Sequence, residues 1–411
     1  MTRHHCPMGL SSVRSVVRLG GFESDPVRRR LAHAASVADL RRIAKRRLPG
    51  GCFDYIDGGA EDERTLAANS KAFADMQFRP RVLRGIEKIE LATEILGAHS
   101  ELPLVLAPTG FTRIADPQGE LAVARAAARA GVPYTLSTLA TRSIEEVRSV
   151  SDGRLWFQVY AWRDRELVAE MVQRAAACDY EALVLTVDTA VFGRRERDLR
   201  RGFSLPPTIG LSTIVDGILH PAWTMGLFRN EPIRFANVRG GSAGDGSSPV
   251  NLSEYINSQF DPALSWSDIE WLRSIWNGRI MVKGIQCVED AVIAAESGVD
   301  AVVLSNHGGR QLDGSPATFS LVAPVADAVA GRSQIICDGG VRRGSDIVKA
   351  LAAGADAVMA GRAYLYALAA GGEIGVDTLL GWWREDMRRT MSLIGAASIA
   401  ELDRSFLDLP H

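Results

Sequence analysis

AVVLSNHGGRQLD, Ala301–Asp313, is the stretch from which the fold can be read. Four apolar residues give way abruptly to Ser-Asn-His-Gly-Gly, and a short apolar run bounded by glycine reads as a buried strand. A histidine and an arginine just past the C-terminal end of a strand stand where α/β barrels keep their chemistry. The plain alternative is a polar loop whose histidine only satisfies nearby backbone. The other strand ends decide between the two.

Seven more runs of the same kind lie on either side: LPLVLAP from Leu102, PYTLS from Pro133, LWFQVY from Leu155, ALVLTVD from Ala182, RIMVKG from Arg279, QIICDGG from Gln334 and AVMAG from Ala357. Most start roughly 20–35 residues after the one before, the spacing of βα units. Between them lie helix-like segments such as GELAVARAAARAG, RELVAEMVQRAAA, VEDAVIAAESG and GSDIVKALAAG, several of them stopped by glycine. Nearly continuous apolar strands imply a sheet covered on both faces. The expected fold is therefore α/β, a (β/α)8 TIM barrel. A doubly wound open sheet is the runner-up, and the lack of GxGxxG after the first strand counts against it.

The expected organisation has a loosely ordered N-terminal extension (1–36), the barrel (37–402) and a C-terminal tail (403–411). VADLRRIAKRRLP and FDYIDGGAEDERTLAANSKAF read as helices capping one end of the barrel, with Gly58–Gly59 at a helix N-terminus. Roughly 90 residues separate the fourth strand from the fifth, too many for a structureless loop. This long insertion, about 203–262, reads in three parts. Apolar LSTIVDGILHPAWTMGLF is either a membrane-surface contact or a lid or oligomer contact. VRGGSAGDGSSP is Gly/Ser-rich, and LSEYINSQFDPALSWSDIEWLRSIW resumes helical patterning.

Composition narrows the class. A chain of 411 residues with 46% hydrophobic and 23% charged residues is long enough for a large globular core. A net charge of -2 gives no reason to expect a nucleic-acid partner. The five cysteines, Cys6, Cys52, Cys178, Cys287 and Cys337, have neither disulfide-framework nor metal-site spacing, so no metal is expected and a reducing cytoplasm is favoured. No apolar run reaches membrane-spanning length, and the N-terminus lacks the apolar core of a secretory signal.

In a barrel, the C-terminal strand ends converge on one mouth. Ala107-Pro108-Thr109-Gly110 after the first strand is a small-residue turn that lets a flat ligand approach. Ser137, Gln158 and Thr186 offer amide and hydroxyl edges. DGGVRRGSD, with Asp338, Gly339, Gly340 and Arg342, follows the seventh strand, and Gly361-Arg362 follows the eighth. Barrels bind phosphate with these two loops, using backbone N–H groups and arginine forks; ordinary turn glycines and surface arginines are the alternative. Phosphate and heterocycle together suit FMN. Lys283 on the fifth strand, a buried cation in need of an anion, then faces a reduced flavin or pairs with Asp188 or Asp338. Two arginines, Arg195 and Arg310, suggest a carboxylate substrate. Asp188 beside His307 would orient the ring and favour its protonated form, the logic of a general base. Base, carboxylate clamp and flavin together suggest oxidation of a 2-hydroxy acid.

SNHGGRQLD and DGGVRRGSD, with FDYIDGGAEDE, LAPTG, FQVY, LTVD and VKG in the same order, resemble the FMN-dependent L-2-hydroxy acid oxidase/dehydrogenase family from about Val37 to about Leu402. The resemblance implies that His307 is the catalytic base, or the proton acceptor coupled to hydride transfer, with Asp188 as its partner. It implies that Tyr55, Arg195 and Arg310 hold the substrate carboxylate, that Tyr160 contacts the substrate near its hydroxyl, and that Lys283 stabilises reduced flavin. Ala107, Pro108, Thr109, Ser137, Gln158, Thr186, Ser305, Asp338, Gly339, Gly340, Arg342, Gly361 and Arg362 would hold FMN.

Two substrate-side positions separate subfamilies. Gly110 stands where several oxidases carry alanine, which leans toward a dehydrogenase. Leu139 stands where glycolate oxidases carry tryptophan. GILHPAW is similar to the membrane-associating insertion of bacterial lactate and mandelate dehydrogenases. The expectation is an L-lactate dehydrogenase passing electrons to a quinone or other non-oxygen acceptor, cytoplasmic or peripheral on the inner face of the membrane, and a homotetramer. (S)-Mandelate dehydrogenase and a peroxide-forming oxidase stay open as alternatives. So do other phosphate-binding barrels, one of which, the purine-nucleotide dehydrogenase type, needs a catalytic cysteine.

Overall fold

The structure is a computed structural model, and it describes residues 23–201, 211–238 and 258–408. The eight apolar runs form strands β1 (Leu104–Leu106), β2 (Tyr134–Ser137), β3 (Leu155–Val159), β4 (Ala182–Thr186), β5 (Arg279–Ile285), β6 (Ala301–Leu304), β7 (Gln334–Asp338) and β8 (Ala357–Ala360). Each pairs in parallel with the next, and β8 closes on β1 with Val358 opposite Leu104. The barrel is closed, not an open sheet.

Alternation along the strands divides their side chains between two cores. Val105, Trp156, Val184, Met281, Val303 and Met359 fill the barrel interior. Their neighbours Leu106, Phe157, Leu183, Val302, Ile335 and Val358 pack under the surrounding helices. Because both faces are buried, the strands carry no polar alternation, which is why they stand out in the sequence. The four helix-like segments appear as Glu120–Ala130, Arg165–Ala177, Val288–Glu296 and Gly344–Ala353.

The pre-barrel segments form helices Val37–Arg47, Gly50–Asp57 and Arg64–Asp75. Gly58 is a C-cap, its N–H returning to Asp54 O, and the next helix starts only at Arg64, so the glycine pair ends a helix instead of starting one. The other end of the barrel is closed by a hairpin that the sequence reading missed. Thr93–Ile95 pairs with Ala98–Ser100, and Ile95 and Leu96 enter the interior core. Arg154, at the start of β3, holds Ile95 O, and Gln334, at the start of β7, holds Leu96 N–H.

Part of the expected extension is ordered. Helix Pro26–Leu31, capped by Asp25, packs on the final helical segment, and Arg30 donates to Ala370 O. Residues 1–22 lie outside the described residues. The expected tail is also built in: Leu407–Asp408 pairs antiparallel with Gln77–Phe78. Within the insertion, helices Leu211–Leu219 and Pro221–Arg229 form a hairpin. The Gly/Ser-rich run, from Arg239 on, and the start of the helical patterning after it lie outside the described residues.

Candidate active site

A cavity of about 490 Å³ opens at the C-terminal end of the barrel. Every substrate-side residue expected from the sequence lines it: Tyr55, Gly110, Leu139, Tyr160, Arg195, His307 and Arg310. So does the expected cofactor set, except Ser305. Asp188 stands behind His307, its carboxylate almost fully buried.

SNHGGRQLD is the hub. His307 Nδ1 lies 3.0 Å from Asp188 Oδ1, leaving Nε2 for a ligand. His307 has φ 56°, a left-handed conformation unusual for a residue with a side chain and typical of strained functional sites. Gly309 follows at φ 74°, and a Cβ there would meet Leu66 N at 2.6 Å, so only glycine fits. Asn306 exchanges amide hydrogen bonds with Asn69, and Asp313 accepts from Thr65 N–H at the start of helix Arg64–Asp75. Gln311 was not anticipated. Its amide donates to Asp188 O and Val191 O and accepts from Gly193 N–H, stitching the loop after β6 to the loop after β4. Gly193 must be glycine, because a Cβ would stand 2.2 Å from Arg310 O.

The electrostatics suit a resting base. Burial works against the Asp188 carboxylate, but His307 and Lys283 outweigh it and hold its pKa below the ordinary range. Burial lowers the pKa of His307 despite the pull of Asp188, so the ring is neutral and able to accept a proton. Burial, then Arg195, pulls Arg310 down to about 9, still a cation at neutral pH. Arg310 Nη1 donates to Tyr55 O and Gly58 O, anchoring the helix that carries Tyr55. Arg195 Nε is buried with no partner among the described residues, whereas Arg194 turns out to solvent. Burial raises the pKa of Tyr160, so its hydroxyl keeps its proton.

The opposite wall fits FMN. Gln158 Oε1 accepts from Ser137 Oγ at 3.0 Å, which turns Nε2 outward as a buried donor with no partner among the described residues. Thr186 Oγ1 is likewise buried and unpartnered. These are edges for a heterocycle that hydrogen-bonds around its rim. Lys283 Nζ stands 3.1 Å from Asp338 Oδ2 and 2.9 Å from Ser305 Oγ, so of the two candidate partners Asp338 is the one it meets. Ser305, placed in the cofactor set by the sequence, does not line the cavity; it is fully buried, donating to Asp338 at 2.6 Å and accepting from His307 N–H. Arg342, Gly361 and Arg362 line the same cavity. Arg362 also donates to the carbonyls of Ile56, Gly58 and Gly308, joining that loop to the helix beneath Tyr55.

With this geometry in place, the model of the family described as FMN-dependent dehydrogenase matches residues 44–409. The chain belongs to that family. FMN is its cofactor, and its chemistry is that of the flavin-dependent 2-hydroxy acid dehydrogenases and oxidases. An L-lactate dehydrogenase from Caulobacter vibrioides is 42% identical over 374 residues, covering 91% of this chain and 97% of that protein. Glycolate oxidase 3 of Oryza sativa subsp. indica is 40% identical over 370 residues, covering 90% and 95%. The crystal structure of the monotopic membrane protein (S)-mandelate dehydrogenase matches with a TM-score of 0.88 at 40% identity, covering 92% of this chain and 99% of that one.

Several wall residues were missed in the sequence. Phe111, Phe192, Asp198, Leu199 and Phe235 all line the cavity. Phe111, Phe192, Asp198 and Leu199 follow β1 and β4 but belong to no motif that signals a ligand, and Phe235 comes from the insertion, away from any strand end. No metal-type cluster of His, Cys, Asp and Glu occurs among the described residues. Cys337 lies within β7, where burial pushes its thiol up to about 12, too high for a nucleophile.

Proposed function

We propose that this chain oxidises an L-2-hydroxy acid to the 2-keto acid, with L-lactate the first candidate, and passes the electrons to a quinone or other non-oxygen acceptor. The observation that carries it is the His307–Asp188 pair beside Arg195 and Arg310 in one cavity whose other lining residues suit a flavin. Arg195, Arg310 and Tyr55 hold the carboxylate, which sets the C2 hydroxyl toward His307 Nε2 and Tyr160. His307 accepts the proton lost from the substrate, and Asp188 stabilises the imidazolium that results. FMN, when bound, supplies the two-electron acceptor. Ser137, Gln158, Thr186, Lys283 and the turn Ala107–Thr109 would hold the flavin ring. Gly339, Gly340, Arg342, Gly361 and Arg362 would take the phosphate.

Gly110 leans to the dehydrogenase side by family resemblance; in the fold it lets the loop after β1 approach Leu139, where a Cβ would stand 3.2 Å from Leu139 Cβ. (S)-Mandelate is the second reading, favoured by the aromatic wall of the cavity and by the mandelate dehydrogenase neighbour.

The insertion supports peripheral membrane contact. No described helix is long and apolar enough to cross a membrane. Ile218, Leu219, Met225 and Phe228 on the hairpin are nevertheless exposed, Phe228 at 82%. Contiguous exposed apolar side chains on short helices suit a lipid interface. Asp216 on the same hairpin accepts from Gly50 N–H, at the start of the helix carrying Tyr55. Exposed Val82, Leu83 and Leu393 support the homo-oligomer, a tetramer by family resemblance. The test is anaerobic bleaching of the purified yellow protein by L-lactate, (S)-mandelate and glycolate, followed by turnover with oxygen and with a dye acceptor. Failure of every 2-hydroxy acid to bleach it overturns the reading, and faster turnover with oxygen than with dye overturns the acceptor.

A further inference from the structure

We propose that Phe235, on the return arm of the insertion, is a specificity-determining residue that contacts the substrate side chain and favours apolar groups larger than methyl. The proposal rests on the 2-hydroxy acid reading above and concerns the end of the substrate away from its carboxylate.

The polar groups of the cavity, His307, Arg195 and Arg310, come from the loops after β4 and β6. The loops after β1 and β2 contribute Gly110, Phe111 and Leu139, a wall without charge. Phe235 completes that wall. Its ring meets Phe111 edge-on, with centroids 4.4 Å apart and planes at 86°. Phe111 in turn stands 6.2 Å from Tyr55 at 72°. The array is continuous from the carboxylate end to the insertion. Phe235 is only partly buried, so it presents ring surface to the cavity, and covering that surface with an apolar group is favourable.

The return arm is held too firmly to be a loose flap. Ala236 N–H donates to Ala140 O, in the loop that carries Leu139. Asn237, fully buried, accepts from Ile144 N–H at 3.0 Å. The Arg113 guanidinium donates to Glu231 O at 2.6 Å and Pro232 O at 3.4 Å, and Arg113 N–H donates to Thr141 Oγ1. Thr141 is fixed by the buried Glu120 carboxylate. These bonds lock the insertion to both loops of the wall, so the position of Phe235 is set by the barrel. A methyl group leaves the aromatic wall uncovered, whereas a phenyl or long alkyl group covers it.

The test compares Phe235→Ala and Phe235→Leu with the unaltered holoenzyme in anaerobic flavin reduction by L-lactate, (S)-mandelate and L-2-hydroxyoctanoate. The expected result is a fall of about tenfold in the second-order rate constant of flavin reduction by the two larger acids, mostly through a higher half-saturating concentration, with lactate changed by less than about threefold and partial recovery in Phe235→Leu. Equal losses for all three acids, which a merely structural role would give, overturn the proposal. So does an unchanged ratio, or wild-type protein reduced by lactate and by neither larger acid; in each case reduction by lactate leaves the general reading standing.

Discussion

Replacing Asp188 by Asn tests the centre of the site, because it removes one charge and almost nothing else. Asn has the same shape, so it does not press on Gly284, whose φ is 114° and where a Cβ would stand 2.8 Å from Asp188 Cβ. Its carbonyl oxygen can still accept from neutral His307 at the present 3.0 Å. What disappears is the attraction between a carboxylate and the imidazolium formed when His307 takes the proton. At 3.0 Å with an effective dielectric near 20, that attraction is about 5 kcal/mol. Part of it is offset by the neutral hydrogen bond that remains and by relaxation around the charge. About 3–4 kcal/mol then falls on the transition state, which predicts a loss of ~10²–10³-fold in the rate of flavin reduction. The assay is anaerobic stopped-flow bleaching by L-lactate at matched FMN occupancy. The pH profile gives a second reading. The base must be neutral, so kcat/KM falls as pH drops through the His307 pKa, which burial already lowers and Asp188 holds up. Without the carboxylate the acid limb moves to lower pH while the rate drops. A loss under about fivefold, or an acid limb moving to higher pH, would refute the assignment of Asp188 and His307.

Three other predictions use different measurements. Lys283→Met leaves Asp338 buried without its cation; breaking such a pair costs about 3–5 kcal/mol, so FMN retention and flavin reduction both fall, read by absorbance and stopped flow. Asp57 is nearly buried, and although burial works to raise its pKa, hydrogen bonds from Arg41, Tyr366 and Arg197 hold it at about 2 against an ordinary 3.8. Because the folded pKa is depressed, the stabilisation of about 2 kcal/mol is present above pH ~4 and is lost as pH falls toward ~2. Urea midpoints should show Asp57→Asn weaker than wild type by that amount near neutrality and converging with it in acid; a constant difference across pH would count against the pairing. Replacing Ile218 and Phe228 together by Glu should abolish sedimentation with anionic lipid vesicles and leave dye-linked turnover of lactate within about twofold; undiminished vesicle binding would remove the hairpin from the membrane contact.

Much of the fold was legible because its determinants are local. A parallel strand buried on both faces needs an unbroken apolar run, so all eight stood out within a residue or two of their observed starts. Glycines at strand ends mark backbone approach, as at Gly309 and Gly193, where no Cβ fits. The hairpin Thr93–Ser100 escaped because its strands are three residues each and mostly polar, and the order of Pro26–Leu31 escaped because its packing partner is the far end of the chain.

The sequence by itself determined which chemistry is present: a histidine, two arginines, a lysine and glycine-rich loops, each at a strand end. Tertiary structure decided who meets whom. Asp188 and His307 are 119 residues apart and become neighbours only because the loops after β4 and β6, on either side of β5, share one mouth of a closed barrel. Lys283 could have met either aspartate, and the barrel seats it on Asp338 with Ser305 as the bridge. Phe235 carries no motif at all. It reaches the cavity because the return arm of the insertion is bonded to loops formed about a hundred residues earlier, a long-range closure of the kind that local periodicity does not encode.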